Sequence, residues 1–264
     1  MIESTFILLN GVGETTERKL WQHGITTWQT FLEANSLPAI NARRKVLYDE
    51  QLSLAVQHWE RGHAGYFASC LKPCYQWRLY EWLRPRAVYL DIETGGPYGD
   101  VTVVGLYAEG RMTSLVRGDT LTEERLREEL SGYDLIVTFF GSAFDLPYLQ
   151  ARYPRLRIEQ PHMDLCFVAR RLGLRGGLKQ IEPIAGIQRP DFLRGLNGWD
   201  AVRLWNRWRY GHDQASLELL VSYNAADAAN LQPLADFLYA ELTQQCGLHL
   251  SPSLKPYQSH FVRG

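Results

Sequence analysis

The sequence predicts an α/β fold, a mixed β-sheet flanked by helices, with a small all-α segment in front of it. Three observations predict it. Apolar residues recur at helical spacing up to about residue 62; three strand-like runs follow in succession from Ala87; and beyond Leu121 strand-like runs alternate with helical ones.

In the first segment Leu20, Trp21, Trp28, Phe31 and Leu32 fall at helical spacings, and Ile40 to Trp59 forms a second periodic stretch. Gly11-Val12-Gly13 and Gly24-Ile25 punctuate residues 1–62. Residues 63–86 carry Tyr66, Phe67, Tyr75, Trp77, Tyr80 and Trp82 and end in Arg84-Pro85-Arg86. So many aromatics do not stay in water without a role, so this stretch is expected to be a packed connector. Ala87 to Glu93 is the first strand, followed by the glycine-rich turn Gly95-Gly96-Pro97-Tyr98-Gly99. Val101 to Ala108 and Met112 to Val116 are the next two, joined at Glu109-Gly110-Arg111. Leu121 to Leu130 is an amphipathic helix with Thr120 or Thr122 as its cap. Leu135 to Phe140 is a fourth strand, Phe144 to Tyr153 a helix, and a short strand is expected near Ile158. Several helices follow, the last from Gln214 to Thr243 with Pro233 kinking or dividing it. The folded domain is expected to span residues 87–245, leaving 246–264 as a tail.

Composition excludes several classes. No apolar run approaches the length of a membrane span, and Phe6 to Leu9 with Glu3 before it is unlike a secretory signal, so the cytoplasm is the default location. Cys70, Cys74, Cys166 and Cys246 are too few for a disulfide scaffold, and no second Cys/His pair completes a zinc site around Cys70 and Cys74. Net charge is −1, yet residues 150–210 hold twelve Arg/Lys against five Asp/Glu. That local excess suits a bound polyanion; equally, it fits a solvated surface crossed by salt bridges.

Three acidic patterns carry chemistry. Asp91 and Glu93, two apart on a strand, point to one face. Carboxylates at the end of a buried strand are costly unless a cation neutralises them, although a strand surfacing at Asp91 would explain them too. Asp145 follows a strand and turn, where ligands favour carboxyl ends of strands, or it simply starts a helix. Tyr223 and Asp227 stand one helical turn apart, as a metal ligand with a water-orienting hydroxyl or as a polar helix edge.

Their order and surroundings resemble the three motifs of the DEDD exonucleases, in the tyrosine (DEDDy) variant. More closely, the chain is similar to the YprB-like RNase H-like exonuclease family. The matching stretches are DIETGG at 91–96, GSAFDLPYL at 141–149, HMDL at 162–165, RGGLKQIE at 175–182 and YNAADAANL at 223–231. The resemblance implies an RNase H-like fold for residues 87–245 and a metal-dependent 3′–5′ exonuclease acting on phosphodiester bonds of DNA or RNA. It implies two divalent ions, Mg²⁺ or Mn²⁺, held by Asp91, Glu93, Asp145 and Asp227, with Tyr223 orienting the attacking water. Relatives often have Asn where this chain has Phe140, so altered substrate contacts are expected there. The alternative is a catalytically silent nucleic-acid-binding protein of the same fold.

The expected partner is nucleic acid, single-stranded or at 3′ ends; no membrane is implied, and no protein partner can be named. Candidate contacts are Thr94, Arg175 and Lys179 around Gly176-Gly177, and Arg207 and Arg209 among Trp199, Trp205 and Trp208. Trp205 and Trp208 also stand at the spacing of core residues. At the N-terminus Gly11-Val12-Gly13 resembles the turn of a helix–hairpin–helix module, whose backbone N–H groups meet a phosphate; a purely structural helical pair fits the same residues.

Overall fold

The computed structural model describes residues 1–97 and 99–247; Tyr98 of the glycine-rich turn and residues 248–264 of the expected tail lie outside the described residues. The chain divides into two compact units. The first takes in Met1–Val88, Glu128–Ile136 and Arg157–Met163. Its helices are α1 (Glu14–Gln22), α2 (Trp28–Glu33), α3 (Ala42–Glu60), α4 (Ala64–Cys70) and α5 (Tyr80–Leu83). Short polar residues start two of them: Thr27 and Thr30 exchange side-chain and backbone bonds at α2, and the Asn41 side chain accepts from Arg44 N–H at α3.

Aromatic rings build the core of this unit. Phe6 stacks on Phe31 at 5.4 Å, and Trp28 stacks on Phe67 at 5.9 Å while meeting Trp59 edge-on. Beside them, buried Glu17 receives both ends of the Arg78 guanidinium at 2.8 Å, and its Oε1 also accepts the N–H groups of Phe6 and Ile7. A buried charge survives when it is paired and hydrogen-bonded in this way. The aromatic stretch after Gly62 is thus helical and buried at Phe67, Trp77 and Tyr80. Gly13 caps α1, but only a three-residue 3₁₀ turn, Ile2–Ser4, stands where a helix–hairpin–helix module has its first helix.

The second unit takes in Tyr89–Arg127, Val137–Leu156 and the chain from Asp164 onward. The remaining elements, in chain order, are β1 (Ala87–Thr94), β2 (Val101–Ala108), β3 (Arg111–Val116), α6 (Glu123–Ser131), β4 (Leu135–Thr138), α7 (Asp145–Arg152), β5 (His162–Asp164), α8 (Leu165–Arg171), α9 (Leu178–Ile181), α10 (Gly198–Gly211) and α11 (Gln214–Gln245). The strands form one mixed five-stranded sheet in the order β3-β2-β1-β4-β5, flanked by helices. β1 pairs antiparallel with β2, with a register shift at Glu93/Thr94, and β2 pairs antiparallel with β3. Across β2 and β3 lies α11, and α10 packs against α11; Val103, Val116, Leu204, Trp205, Leu220 and Tyr223 form the core between them.

Two local expectations need correction, and two open alternatives are narrowed. The fourth strand stops at Thr138, because Phe140 turns to a φ of +67°, which breaks a ladder. The fifth strand is His162–Asp164 rather than a run near Ile158; residues 156–159 are irregular. Pro233 lies inside α11 without dividing it, the helix being held by its buried apolar face. Of the two candidate caps for α6, Thr122 accepts from Arg125 N–H, while Thr120 bonds back to Val116.

Candidate metal centre

β1 is buried along its length except at Asp91 and Thr94, and Asp91 and Glu93 place two carboxylates at the end of an apolar run. Carboxylate oxygens of Asp91, Glu93 and Asp227 lie within 4.8 Å of one another, the group among the described residues arranged to hold a metal ion. Glu93 and Asp227 are buried, and Tyr223 is buried one turn before Asp227 on α11. Asp145 opens α7 and stands next to this trio rather than inside it; its Oδ1 accepts Ile92 N–H at 3.1 Å, tying α7 to β1.

Residues to which the sequence assigned no role hold the trio in place. Asn224, fully buried, donates through Nδ2 to the Asp91 backbone carbonyl at 3.1 Å and to Asp91 Oδ2 at 2.8 Å. It fits because Gly105 faces Asp91 across the β1–β2 ladder; a Cβ there would collide with the Asn224 amide and come within 2.9 Å of Met112 Cε. Arg189 forms an ion pair with Asp227 and a two-pronged hydrogen bond to buried Glu182 at 2.6 Å. Asn230 donates to the same Glu182 at 2.9 Å. Asp164, the N-cap of α8, accepts the N–H groups of Phe140, Ser142 and Cys166 and so pins the turn that leads into α7. Asn224, three residues before Asp227, shares its helix face and was within reach of spacing rules. Arg189 lies on irregular backbone and Glu182 opens a short 3₁₀ turn, so neither gives a periodic signal.

Lys179 sits 4.1 Å over the Tyr223 ring, and its ammonium donates to the Tyr223 hydroxyl and the Leu196 carbonyl. It is therefore half-buried against the acidic group rather than on an open basic face. Gly176, at a φ of +120°, gives the preceding turn room to pack on Gln180, so this glycine serves the entry to α9. Arg175, Arg207 and Arg209 are exposed. Thr94 donates to Gly96 O at 3.2 Å within the turn after β1. Trp205 is core and Trp208 packs on it at 5.0 Å, whereas Trp199 is exposed.

The electrostatics are those of a site whose two cations, Arg189 and Lys179, do not offset its carboxylates. Burial first, then the charges of Asp227, Glu93 and Asp145, holds the Asp91 carboxyl well above the usual range, against the Asn224 hydrogen bond. Burial and Asp227 do the same to Glu93. Burial pushes Asp145 up to about 7, and it raises Asp227 despite Arg189 and Lys179. Burial likewise lowers Lys179. Repulsion of this kind is relieved by a hard cation, and a donor set made only of carboxylate oxygens fits Mg²⁺ or Mn²⁺ rather than a thiophilic metal.

The family model for the RNase H superfamily (RNase_H_2) matches residues 88–239, more than half of the chain. The chain belongs to the RNase H superfamily. No curated protein matches it. Membership agrees with the five-stranded mixed sheet and points to nuclease or other nucleic-acid work, for which divalent metals are the usual cofactors of the fold. All the acidic residues of the centre, with Tyr223, Asn224 and Lys179, lie inside the matched range. No helix among the described residues is long and apolar enough to cross a membrane.

Proposed function

We propose that this RNase H-superfamily chain is a metal-dependent 3′–5′ exonuclease that hydrolyses phosphodiester bonds of DNA or RNA. The observation that carries the reading is the trio Asp91, Glu93 and Asp227, half-buried at Asp91 and buried at the other two, its oxygens within 4.8 Å, with Asp145 bonded one residue away on β1. Polarity and exonucleolytic action follow from the resemblance of residues 91–96, 141–149 and 223–231 to the DEDDy motifs. Asp91, Glu93, Asp145 and Asp227 would hold two divalent ions, Mg²⁺ or Mn²⁺. Bound there, such ions supply an activated water and neutralise charge that develops on the leaving oxygen.

The chain's own residues do the rest. Asn224 fixes the Asp91 carboxylate, and Arg189, itself gripped by Glu182, fixes Asp227. Tyr223 accepts from Lys179, so its own hydrogen is left to point at the attacking water or a phosphate oxygen. Burial, followed by the charges of Asp227, Glu93 and Asp91, raises the Tyr223 pKa, which makes it a donor and not a base. Arg175, Arg207 and Arg209 offer exposed charge to the backbone of a single strand or 3′ end. Residues 87–245 form the proposed exonuclease domain.

End-labelled DNA and RNA, incubated with the wild type and with Asp91→Asn, with Mg²⁺ or with chelator, test this. Stepwise loss of 3′ nucleotides by the wild type in Mg²⁺ alone is expected. Cutting by Asp91→Asn at the wild-type rate, or cutting in chelator, would defeat it. One observation favours a second reading: Arg189 already occupies an Asp227 oxygen, as in a silent nucleic-acid-binding protein that needs no metal. Failure to bind Mg²⁺ or Mn²⁺ at millimolar concentration in a calorimetric titration would select it.

A further inference from the structure

Three phenylalanines, two in the turn that leads to Asp145 and one on α8, remain open to solvent: Phe140 at 42%, Phe144 at 40% and Phe167 at 41%. The rings of Phe140 and Phe167 lie 6.4 Å apart with 30° between their planes, and the Arg170 guanidinium stands over Phe167 at 5.1 Å from its centre. Phe144 immediately precedes Asp145 and rests against Tyr148 at 5.3 Å.

This surface is built, not left over. Phe140 holds a φ of +67°, a conformation costly for a bulky residue and much easier for Asn. Asp164 enforces it: one carboxylate accepts Phe140 N–H at 2.8 Å, Ser142 N–H at 3.0 Å and the Ser142 hydroxyl at 2.6 Å, and it also caps α8, the helix that carries Phe167 and Arg170. Strain kept in place by a buried, fully engaged carboxylate is a reason to ask what the exposed ring does. Arg170 is exposed, and among the described residues no carboxylate pairs with it; the next residue, Arg171, is also exposed.

We propose that Phe140, Phe167 and Arg170 form a base-stacking subsite for single-stranded nucleic acid whose end reaches the carboxylates beside Asp145. The inference rests on the exonuclease reading and names where its substrate is held. Aromatic faces next to a guanidinium suit bases and the phosphates between them. A duplex offers no free base faces to such a surface, because its bases already stack on each other. Stacking is tolerant of sequence, as degradation of an arbitrary strand requires. An acidic protein partner would use the arginines and leave the rings unexplained.

Binding is measured by fluorescence anisotropy in full-length Asp91→Asn protein, which keeps the strand intact, with labelled oligothymidylate, an abasic strand of equal length and a duplex. Phe140→Asn and Phe167→Ala are each expected to weaken oligothymidylate binding by about 5- to 150-fold, the worth of one stacked base, and to leave the abasic strand unaffected. Phe140→Asn should melt no lower than its parent, since Asn accepts the backbone that strains Phe. Unchanged oligothymidylate affinity in both variants, or an equal loss for the abasic strand, overturns the subsite. If the wild type also fails to cut any strand, the exonuclease reading falls with it; if the wild type cuts and the variants bind normally, the subsite alone falls.

Discussion

Asp145→Asn should make the metal-free protein more stable while removing its activity. Burial, together with the charges of Asp164 and Asp227, pushes the Asp145 carboxyl from its ordinary 3.8 up to about 7, even though its own backbone and Ile92 N–H favour the charged form. In the unfolded chain the proton leaves near pH 4; in the folded chain it leaves near pH 7. The folded state therefore binds more protons across that window, and stability is lost as pH rises through it. The displacement from 3.8 to about 7 corresponds to on the order of 4 kcal/mol. This is an upper figure, because water and side chains relax around the charge. Asn cannot ionise, yet its carbonyl still accepts Ile92 N–H. Urea unfolding in chelator, at steps from pH 4 to 8, measures the effect. The variant should gain on the wild type as pH rises, the gain levelling off above about pH 7, and millimolar Mg²⁺ should stabilise the wild type more than the variant. A variant less stable than the wild type at pH 8, or a difference that ignores pH, would refute the assigned burial of Asp145.

Gly105→Ala should cost about 1–3 kcal/mol from overpacking against Asn224, and by freeing Asp91 it should also weaken Mg²⁺ affinity in calorimetry. Glu17→Ala leaves Arg78 buried without its partner and should cost about 3–5 kcal/mol in urea unfolding without entering the metal centre. Replacing Arg207 and Arg209 by Glu should raise KM and flatten the salt dependence of single-strand binding by about 0.7 for each phosphate no longer neutralised.

Much of the fold was legible in order and period. The strand runs from Ala87, Val101 and Met112 are apolar over a length typical of strands, and the structure places β1, β2 and β3 on them within a residue or two. What was illegible was local backbone set by distant partners. β4 ends before Phe140 because Asp164, twenty-four residues on, takes its N–H. The fifth strand sits at His162 because the sheet order gives that segment β4 as a neighbour, a fact with no trace in residues 156–160. Around the candidate centre, Asp91, Glu93 and Asp227 could be singled out by spacing. Arg189, Glu182 and Gly105 could not, since none of them stands in a periodic element with the acid that it serves.

The sequence by itself marked the type and order of most elements and singled out the candidate acidic residues, because period and residue chemistry are local properties. Only the tertiary structure decided how those charges meet. It drew three carboxylates within 4.8 Å and tied Asp145 to β1 instead of into the trio. It set Lys179 against the Tyr223 hydroxyl, and it set Asn224 and Arg189 against the acids. The reason is physical: burial and proximity, which raise the pKa values of these groups and call for a cation, arise from residues far apart in the chain and come into being only when it folds.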